Sequence, residues 1–319
     1  MKAIVYKEYG SPDVLQFKEV KKPTPANNEV LIRVYATSVT SADCLMRRGD
    51  TIISRLFLGL MKPRRNILGT EIAGEIEETG KNVTRFNKGD QVFGFTGFGL
   101  GAYAQYKCMP ENGSLVLKPT NINYGESAAV VDGATTALFF LKDKANIQRG
   151  QKVLIIGASG SIGTFAVQIA KYFGAEVTGV CSTANLDMIK LLGADKVIDY
   201  TEDDFTKNGE KYDIIFDTVG KSSFSQCKGS LNKYGKYVLT TGGLMQRFQM
   251  MWTALIGGKK LMTGMSIEKT ESLLFIKELI EAEKLELVID KCYSLDQIAK
   301  AQGYVEKGHK MGNVIINVE

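Results

Sequence analysis

Gly157-Ala158-Ser159-Gly160-Ser161-Ile162-Gly163 follows directly on the bare apolar run Val153–Ile156. Its spacing, Gly-x-x-Gly-x-x-Gly, is a variant of the G-x-G-x-x-G dinucleotide fingerprint. The chemistry served is phosphate binding. A tight turn aims backbone N–H groups and a helix N-terminus at a pyrophosphate, and residues without a Cβ let the backbone come close. Ile162, Phe165, Ala166, Ile169, Ala170 and Phe173 then recur at helical spacing, and the run stops at Gly174, a helix C′ glycine. Strand, glycine turn and helix in this order turn a weak motif into a dinucleotide site. The same context removes a membrane reading of Val153–Ala170, a charge-free run just long enough to raise it.

The next strand, Val177–Cys181, ends at Ser182-Thr183-Ala184-Asn185. An NAD site places Asp or Glu at this tip to hold the ribose 2′-OH. Here the tip has no carboxylate to repel a 2′-phosphate and two hydroxyls to donate to one, which points to NADP(H). No arginine clamps the phosphate, so the expected preference is modest. Lys190 and Lys196 either assist or are solvated charges.

Other chemistries are bounded by counts. His309 is the one histidine in 319 residues, which excludes metal sites built from two imidazoles. A Ser-His-Asp hydrolase would depend on that position alone. Cys44, Cys108, Cys181, Cys227 and Cys292 form no C-x-x-C pair and read as scattered reduced thiols of the cytoplasm. Net charge is +5, from 40 Lys+Arg and 35 Asp+Glu, and the excess reads as spread along the chain. The cluster Lys62–Arg65 is short and lacks interleaved aromatics, so no nucleic-acid partner is expected. The N-terminus shows no signal peptide, and no membrane partner is expected.

These residues need elements to position them. The length suits about two domains, and 44% hydrophobic with 24% charged residues is a globular composition. The first third is β-rich, with strand-forming runs at Ala3–Tyr6, Glu29–Tyr35, Ile72–Thr79, Gln91–Phe95 and Ala102–Lys107. Thr96–Gly101, with three glycines and no charge, reads as a close-approach loop. Near Asn121–Glu126 the pattern changes to alternating strands and helices, with helix at Leu186–Leu192 and strands at Lys196–Ile198, Tyr212–Phe216 and Tyr237–Leu239. Such alternation implies a parallel sheet with right-handed crossovers. Helices at Glu271–Glu283 and Leu295–Glu306 and a strand at Asn313–Val318 close the chain. Gly243–Met265 holds Met245, Met250, Met251, Trp252 and Met262 with little charge. It either lines an apolar pocket or belongs to a core or dimer interface.

The chain resembles the medium-chain dehydrogenase/reductase superfamily over essentially its whole length, and within it the zinc-free quinone oxidoreductase branch. The resemblance rests on Ser38-Val39-Thr40-Ser41-Ala42-Asp43, Leu68-Gly69-Thr70-Glu71, Gly89-Asp90-Gln91-Val92, Gly133-Ala134-Thr135-Thr136, the Gly157–Gly163 loop, Ile198-Asp199-Tyr200 and Phe216-Asp217-Thr218-Val219-Gly220. It implies an α/β fold: a GroES-like β-rich catalytic domain plus a Rossmann doubly wound parallel-sheet domain. The implied boundaries are 1–122 and 266–319 for the first and 123–265 for the second. Cofactor contact is implied for Thr136, Gly157, Ala158, Ser159, Gly160, Ser161, Ile162, Gly163, Ser182, Thr183, Tyr200, Thr218, Val219, Thr241, Gly242 and Gly243.

Where zinc-bearing relatives keep ligands, this chain has Thr40, Thr70 and Asp132, so no zinc is expected. The resemblance leaves Thr40 as a hydroxyl donor and Arg47 as either a catalytic cation or a structural ion-pair partner. It implies an NADPH-dependent reductase of quinones or α,β-unsaturated carbonyls (enones), working as a homodimer. The alternatives are an alcohol or aldehyde dehydrogenase and a non-catalytic NADPH-binding protein.

Overall fold

The structure, a computed structural model, describes residues 1–50, 55, 56 and 58–318. It divides into two compact units. The first holds Met1–Asp132, Glu268–Glu281 and Ile289–Glu319; the second holds Gly133–Ile267 and Ala282–Val288.

The first unit is built on a seven-stranded sheet. Its strands are β3 (Glu29–Ser38), β4 (Glu71–Thr79), β5 (Gln91–Phe95), β6 (Tyr106–Pro110), β7 (Ser114–Leu117), β14 (Ile289–Ser294) and β15 (Asn313–Asn317). The order is β14-β15-β3-β4-β5-β7, with β6 also on β3. A separate hairpin pairs β1 (Lys2–Val5) with β2 (Gln16–Glu19). β3 carries the β-branched residues Val30, Ile32, Val34 and Thr37, and Val30, Ile32 and Val34 bury fully against Ile72, Ile76 and Val92. A second core gathers Ile4, Tyr6, Val39, Leu100 and Tyr103 around Val314 and Ile316 of β15. The strand expected at Ala102–Lys107 starts later, at Tyr106. Ala104 makes only an isolated bridge to Ala3, and Ala102, Tyr103 and Ala104 are buried outside any strand.

The second unit is a six-stranded parallel sheet with strands β8 (Lys152–Ile156), β9 (Glu176–Cys181), β10 (Lys196–Asp199), β11 (Tyr212–Asp217), β12 (Leu231–Leu239) and β13 (Lys260–Thr263). The order β10-β9-β8-β11-β12-β13 reverses direction between β8 and β11. In open parallel sheets, ligands bind beyond the carboxyl ends of the strands at such a reversal. The helix Ser161–Tyr172 follows β8, and Gly174 leaves it at φ +77°, the left-handed conformation expected of a C′ glycine.

The division falls at 132/133 and 267/268, where the sequence suggests 122/123 and 265/266. A continuous helix, Tyr124–Leu138, spans the first of these points. Ala128–Val131, Ala134 and Ala137 are all buried, so this helix carries no polar stripe to announce it. Residues 282–288 also join the second unit. The Gln168 side chain receives the Glu286 N–H at 2.7 Å and donates to its carbonyl at 3.0 Å.

Candidate functional site

The glycine loop sits at the carboxyl end of β8, on the side of the sheet reversal. Gly157 turns at φ +77°, and a Cβ there would meet Val219 Cγ1 at 2.6 Å and Thr218 Oγ1 at 2.8 Å. A Cβ on Gly163 would lie 2.1 Å from the Gly157 carbonyl. Helix Ser161–Tyr172 therefore abuts the turn at van der Waals distance. Its N-cap, Gly160, supplies no capping side chain, so the first-turn amides have no side-chain acceptor from the cap. This is a cradle for an anion.

Ser182 and Thr183 stand at the end of β9, where sequence spacing places them. Asn185 bridges the tip to the loop, donating to Ser182 Oγ at 3.1 Å and Ser159 Oγ at 3.2 Å. The structure adds one group that order along the chain conceals. Asp199, last in β10, pairs in register with Cys181 and stands beside Thr183. The Thr183 and Thr201 hydroxyls hold its carboxyl below the usual range. The tip is thus a hydroxyl pair with a carboxylate neighbour. Tyr200, 56% exposed, projects next to it. Lys196 pairs with Glu176 and Glu210 at 3.4 and 3.7 Å, the solvated-charge reading.

Across the reversal, Thr218 donates to the carbonyls of Ile156 and Gly157 at 2.9 and 3.3 Å, so it fastens the β8 turn. Asp217 is the residue that spacing alone undervalues. It is fully buried; one oxygen accepts the Val219 and Gly220 amides, and the other accepts the Ser222 amide and the Tyr237 hydroxyl. Four donors on one carboxylate fix the loop 218–222. A Cβ on Gly220 would meet Thr241 Oγ1 at 2.8 Å, which brings Thr241-Gly242-Gly243 to the same rim. Thr136 is buried within its helix.

In the first unit the two catalytic candidates have structural roles. Thr40 caps the helix Ser41–Arg48: its hydroxyl donates to Asp43 Oδ2 at 2.7 Å and accepts the Asp43 amide at 3.1 Å. Its one proton is directed at Asp43. Arg47 is fully buried, donating to Gln302 Oε1 and the Gly10 carbonyl, both at 2.6 Å, and to Glu306. This geometry is the ion-pair alternative, not a cation presented to substrate. Nearby, Asp132 donates its amide to Glu71 and accepts Lys269, whose ammonium also lies 4.5 Å from the Phe95 ring centre. Burial first, then the Asp132 charge, push the Glu71 carboxyl well above the usual range, and Lys269 opposes this. Burial pushes the Lys310 ammonium down to about 8 against the pull of Glu71 and Asp290. Zinc does not fit here. Two of the ligand positions are hydroxyls, and a buried ammonium already sits against Asp132. Among the described residues no three of His, Cys, Asp and Glu gather as a metal cluster. Burial raises the Cys44 thiol to about 12, which keeps it protonated.

Asp43 gives a pH prediction. It is fully buried, and that burial raises its carboxyl to about 6, with the Thr40 hydrogen bonds opposing. A raised carboxyl stabilises the fold below the unfolded value and loses that contribution as pH rises through the folded one. Asp43→Asn should therefore cost less stability at pH 7 than at pH 4, by on the order of 2–3 kcal/mol. Urea unfolding of both proteins at both pH values measures it; an equal cost at the two values refutes the assignment.

At Thr96–Gly101, a Cβ on Gly97 would touch nothing within 4 Å, so that glycine serves its φ of +59° and not a close approach. The Met-rich stretch is a helix, Leu244–Ile256, whose apolar side lines a recess of about 510 Å³.

Comparison with known proteins is consistent across the chain. Residues 26–120 match the alcohol dehydrogenase GroES-like domain family, and residues 192–316 match a family described as zinc-binding dehydrogenase. The chloroplastic quinone-oxidoreductase homolog of Spinacia oleracea is 32% identical over 99% of this chain and 98% of its own. The NADPH-dependent alkenal/one oxidoreductase of Arabidopsis thaliana, also chloroplastic, is 27% identical over 99% of this chain and 79% of its own. Among solved structures, the quinone oxidoreductase from Coxiella burnetii superposes with a TM-score of 0.91 at 28% identity, covering 100% of this chain and 99% of that one.

Proposed function

Because the chain belongs to the quinone oxidoreductase branch of the medium-chain dehydrogenase/reductase superfamily, we propose that it is an NADPH-dependent reductase of quinones and α,β-unsaturated carbonyls. The observation that carries the reading is the Gly157–Gly163 loop at the β8/β11 reversal, with Ser182 and Thr183 on the adjacent strand end. The first-turn amides after Gly160 hold the pyrophosphate, Ser182 and Thr183 donate to the 2′-phosphate, and Tyr200 covers the adenine end. Asp217 and Thr218 keep the rim rigid. When bound, NADPH would supply a hydride, and a quinone that takes this hydride together with one proton becomes a hydroquinone. No step runs through zinc, since the donor set is wrong for it. The same reading includes a cytoplasmic homodimer joined along edge strand β13.

The test is NADPH oxidation with 1,4-benzoquinone and with 2-alkenals, alongside metal analysis. Turnover of either acceptor without stoichiometric zinc is expected. Tight NADPH binding without turnover of any acceptor would establish the non-catalytic alternative, and stoichiometric zinc would favour the alcohol dehydrogenase one. Asp199→Asn removes the carboxylate beside Thr183. It should raise the preference for NADPH over NADH several-fold in a fluorescence titration, because a like charge no longer faces the 2′-phosphate. An unchanged ratio places the phosphate elsewhere.

A further inference from the structure

Reduction of a quinone or enone puts negative charge on the acceptor's oxygen as the hydride arrives. The residues here do not suit zinc, so that charge needs a preorganised N–H or O–H donor. Thr40 and Arg47 do not serve. Thr40 directs its proton at Asp43, and Arg47 is sealed among Gly10, Gln302 and Glu306. Lys269 is equally enclosed, between Asp132 and the Phe95 ring.

Lys310 is differently placed. It sits in the turn Gly308–Gly312 that leads into β15, bounded by glycines in the left-handed region at φ +76° and +66°. Hydrogen bonds on two sides fix where that turn goes. β15 pairs with the end of β3, Ile315 opposite Ser38, and the Val39 amide donates to the Val314 carbonyl at 3.0 Å, so the turn arrives beside Thr40. On the other side, the Met311 amide donates to Asp290 of β14 at 3.1 Å, and the same carboxylate oxygen accepts the Tyr304 hydroxyl at 2.7 Å.

The Lys310 side chain runs inward. The residue is half-buried, yet its ammonium is the enclosed end: it donates to the Gly312 carbonyl at 2.5 Å and faces Glu71, Asp132, Asp290 and Cys44. A lysine ordinarily does the reverse, burying its stem and keeping its charge in water. Turning the charge inward costs desolvation free energy, which Glu71, Asp290 and Asp132 partly offset. A merely solvated charge has no reason to fold this way.

We propose that the Lys310 ammonium is the donor that holds the acceptor's developing oxyanion, a catalytic role that rests on the reductase reading. An ammonium offers N–H groups on a flexible stem, and a charged donor binds more strongly as the oxygen it meets becomes an anion. As the nicotinamide is oxidised, its hydride forms a bond to the acceptor and pushes the conjugated π electrons onto the carbonyl oxygen. That oxyanion accepts the Lys310 hydrogen bond, and one proton from water completes the product.

Lys310→Met keeps the length and removes the charge. It should slow single-turnover NADPH oxidation on the order of a hundredfold, with NADPH affinity and the circular dichroism spectrum unchanged. Lys310→Arg keeps a cationic donor and should recover most of the loss. The loss should grow with the basicity of the oxyanion, from tetrachloro-1,4-benzoquinone through 1,4-benzoquinone to 2-alkenals, because a more basic oxygen gains more from the donor. A purely structural role would lower all three alike. Without cofactor, equilibrium dialysis with 4-nitrophenolate, a stand-in for the hydroquinone anion, should show binding weakened about tenfold by Lys310→Met and kept by Lys310→Arg. An unchanged rate in Lys310→Met, an equal loss on every acceptor, or equal phenolate binding by the three proteins overturns the proposal alone. Turnover of no acceptor by the wild-type protein is a different result, which overturns the reductase reading and this proposal with it.

Discussion

Gly163→Ala is expected to lose NADPH affinity by on the order of a hundredfold or more, measured by nicotinamide fluorescence. The added methyl would stand 2.1 Å from the Gly157 carbonyl and 2.7 Å from the Ala158 backbone. These are backbone atoms of a turn whose amides are tied to Val180 at 3.0–3.1 Å, so neither can yield cheaply. Helix Ser161–Tyr172 must move off the loop, and its first-turn amides leave the position that the proposed phosphate contact requires. Gly160→Ala is the contrast. Its nearest Cβ contact is 3.4 Å and its φ is −81°, so the fold should tolerate it. Equal NADPH affinity in the wild-type and Gly163→Ala proteins would remove the loop from the binding site.

This loop was legible because its signal is local. A buried strand, three glycines at fixed spacing and a periodic helix all lie within 25 residues, and the structure keeps their bounds within a residue. Strand β13 and the helix Tyr124–Leu138 were not legible. One is four residues long, and the other is buried on nearly every side, so neither carries a period. Asp199 illustrates a different limit. It lies 16 residues beyond Thr183, and only strand pairing brings the two together. Thr40 and Arg47 were read by position within a pattern, while their roles are set by partners at 43, 302 and 306.

Asp217→Ala should destabilise the protein by about 3–5 kcal/mol, near the upper end for single substitutions. The carboxylate is fully buried and serves four donors. Its removal leaves three backbone amides and the Tyr237 hydroxyl without their acceptor, each at a desolvation cost. Asp217→Asn separates charge from shape. The amide oxygen can still accept two donors, while its NH₂ faces the other two. Its loss should fall between those of wild type and Asp217→Ala in urea unfolding. Both variants should also weaken NADPH binding, since loop 218–222 and the β8 turn share Thr218. A cost for Asp217→Ala under about 1 kcal/mol would show that water replaces the carboxylate and that the loop does not depend on it.

Strand β15 pairs with β3 through Ile315 and Ser38, residues 277 positions apart. During synthesis at about 5–20 residues per second, β3 waits roughly 15–55 s for this neighbour. Until then the Ala36–Ser38 edge is open, and the core around Ile4, Tyr6 and Tyr103 lacks Val314 and Ile316. The parallel sheet from β8 to β13 is contiguous in the chain and completes earlier. The nascent protein therefore holds a finished nucleotide-binding sheet while its antiparallel sheet still has an exposed seam, and chaperone dependence should concentrate at that seam.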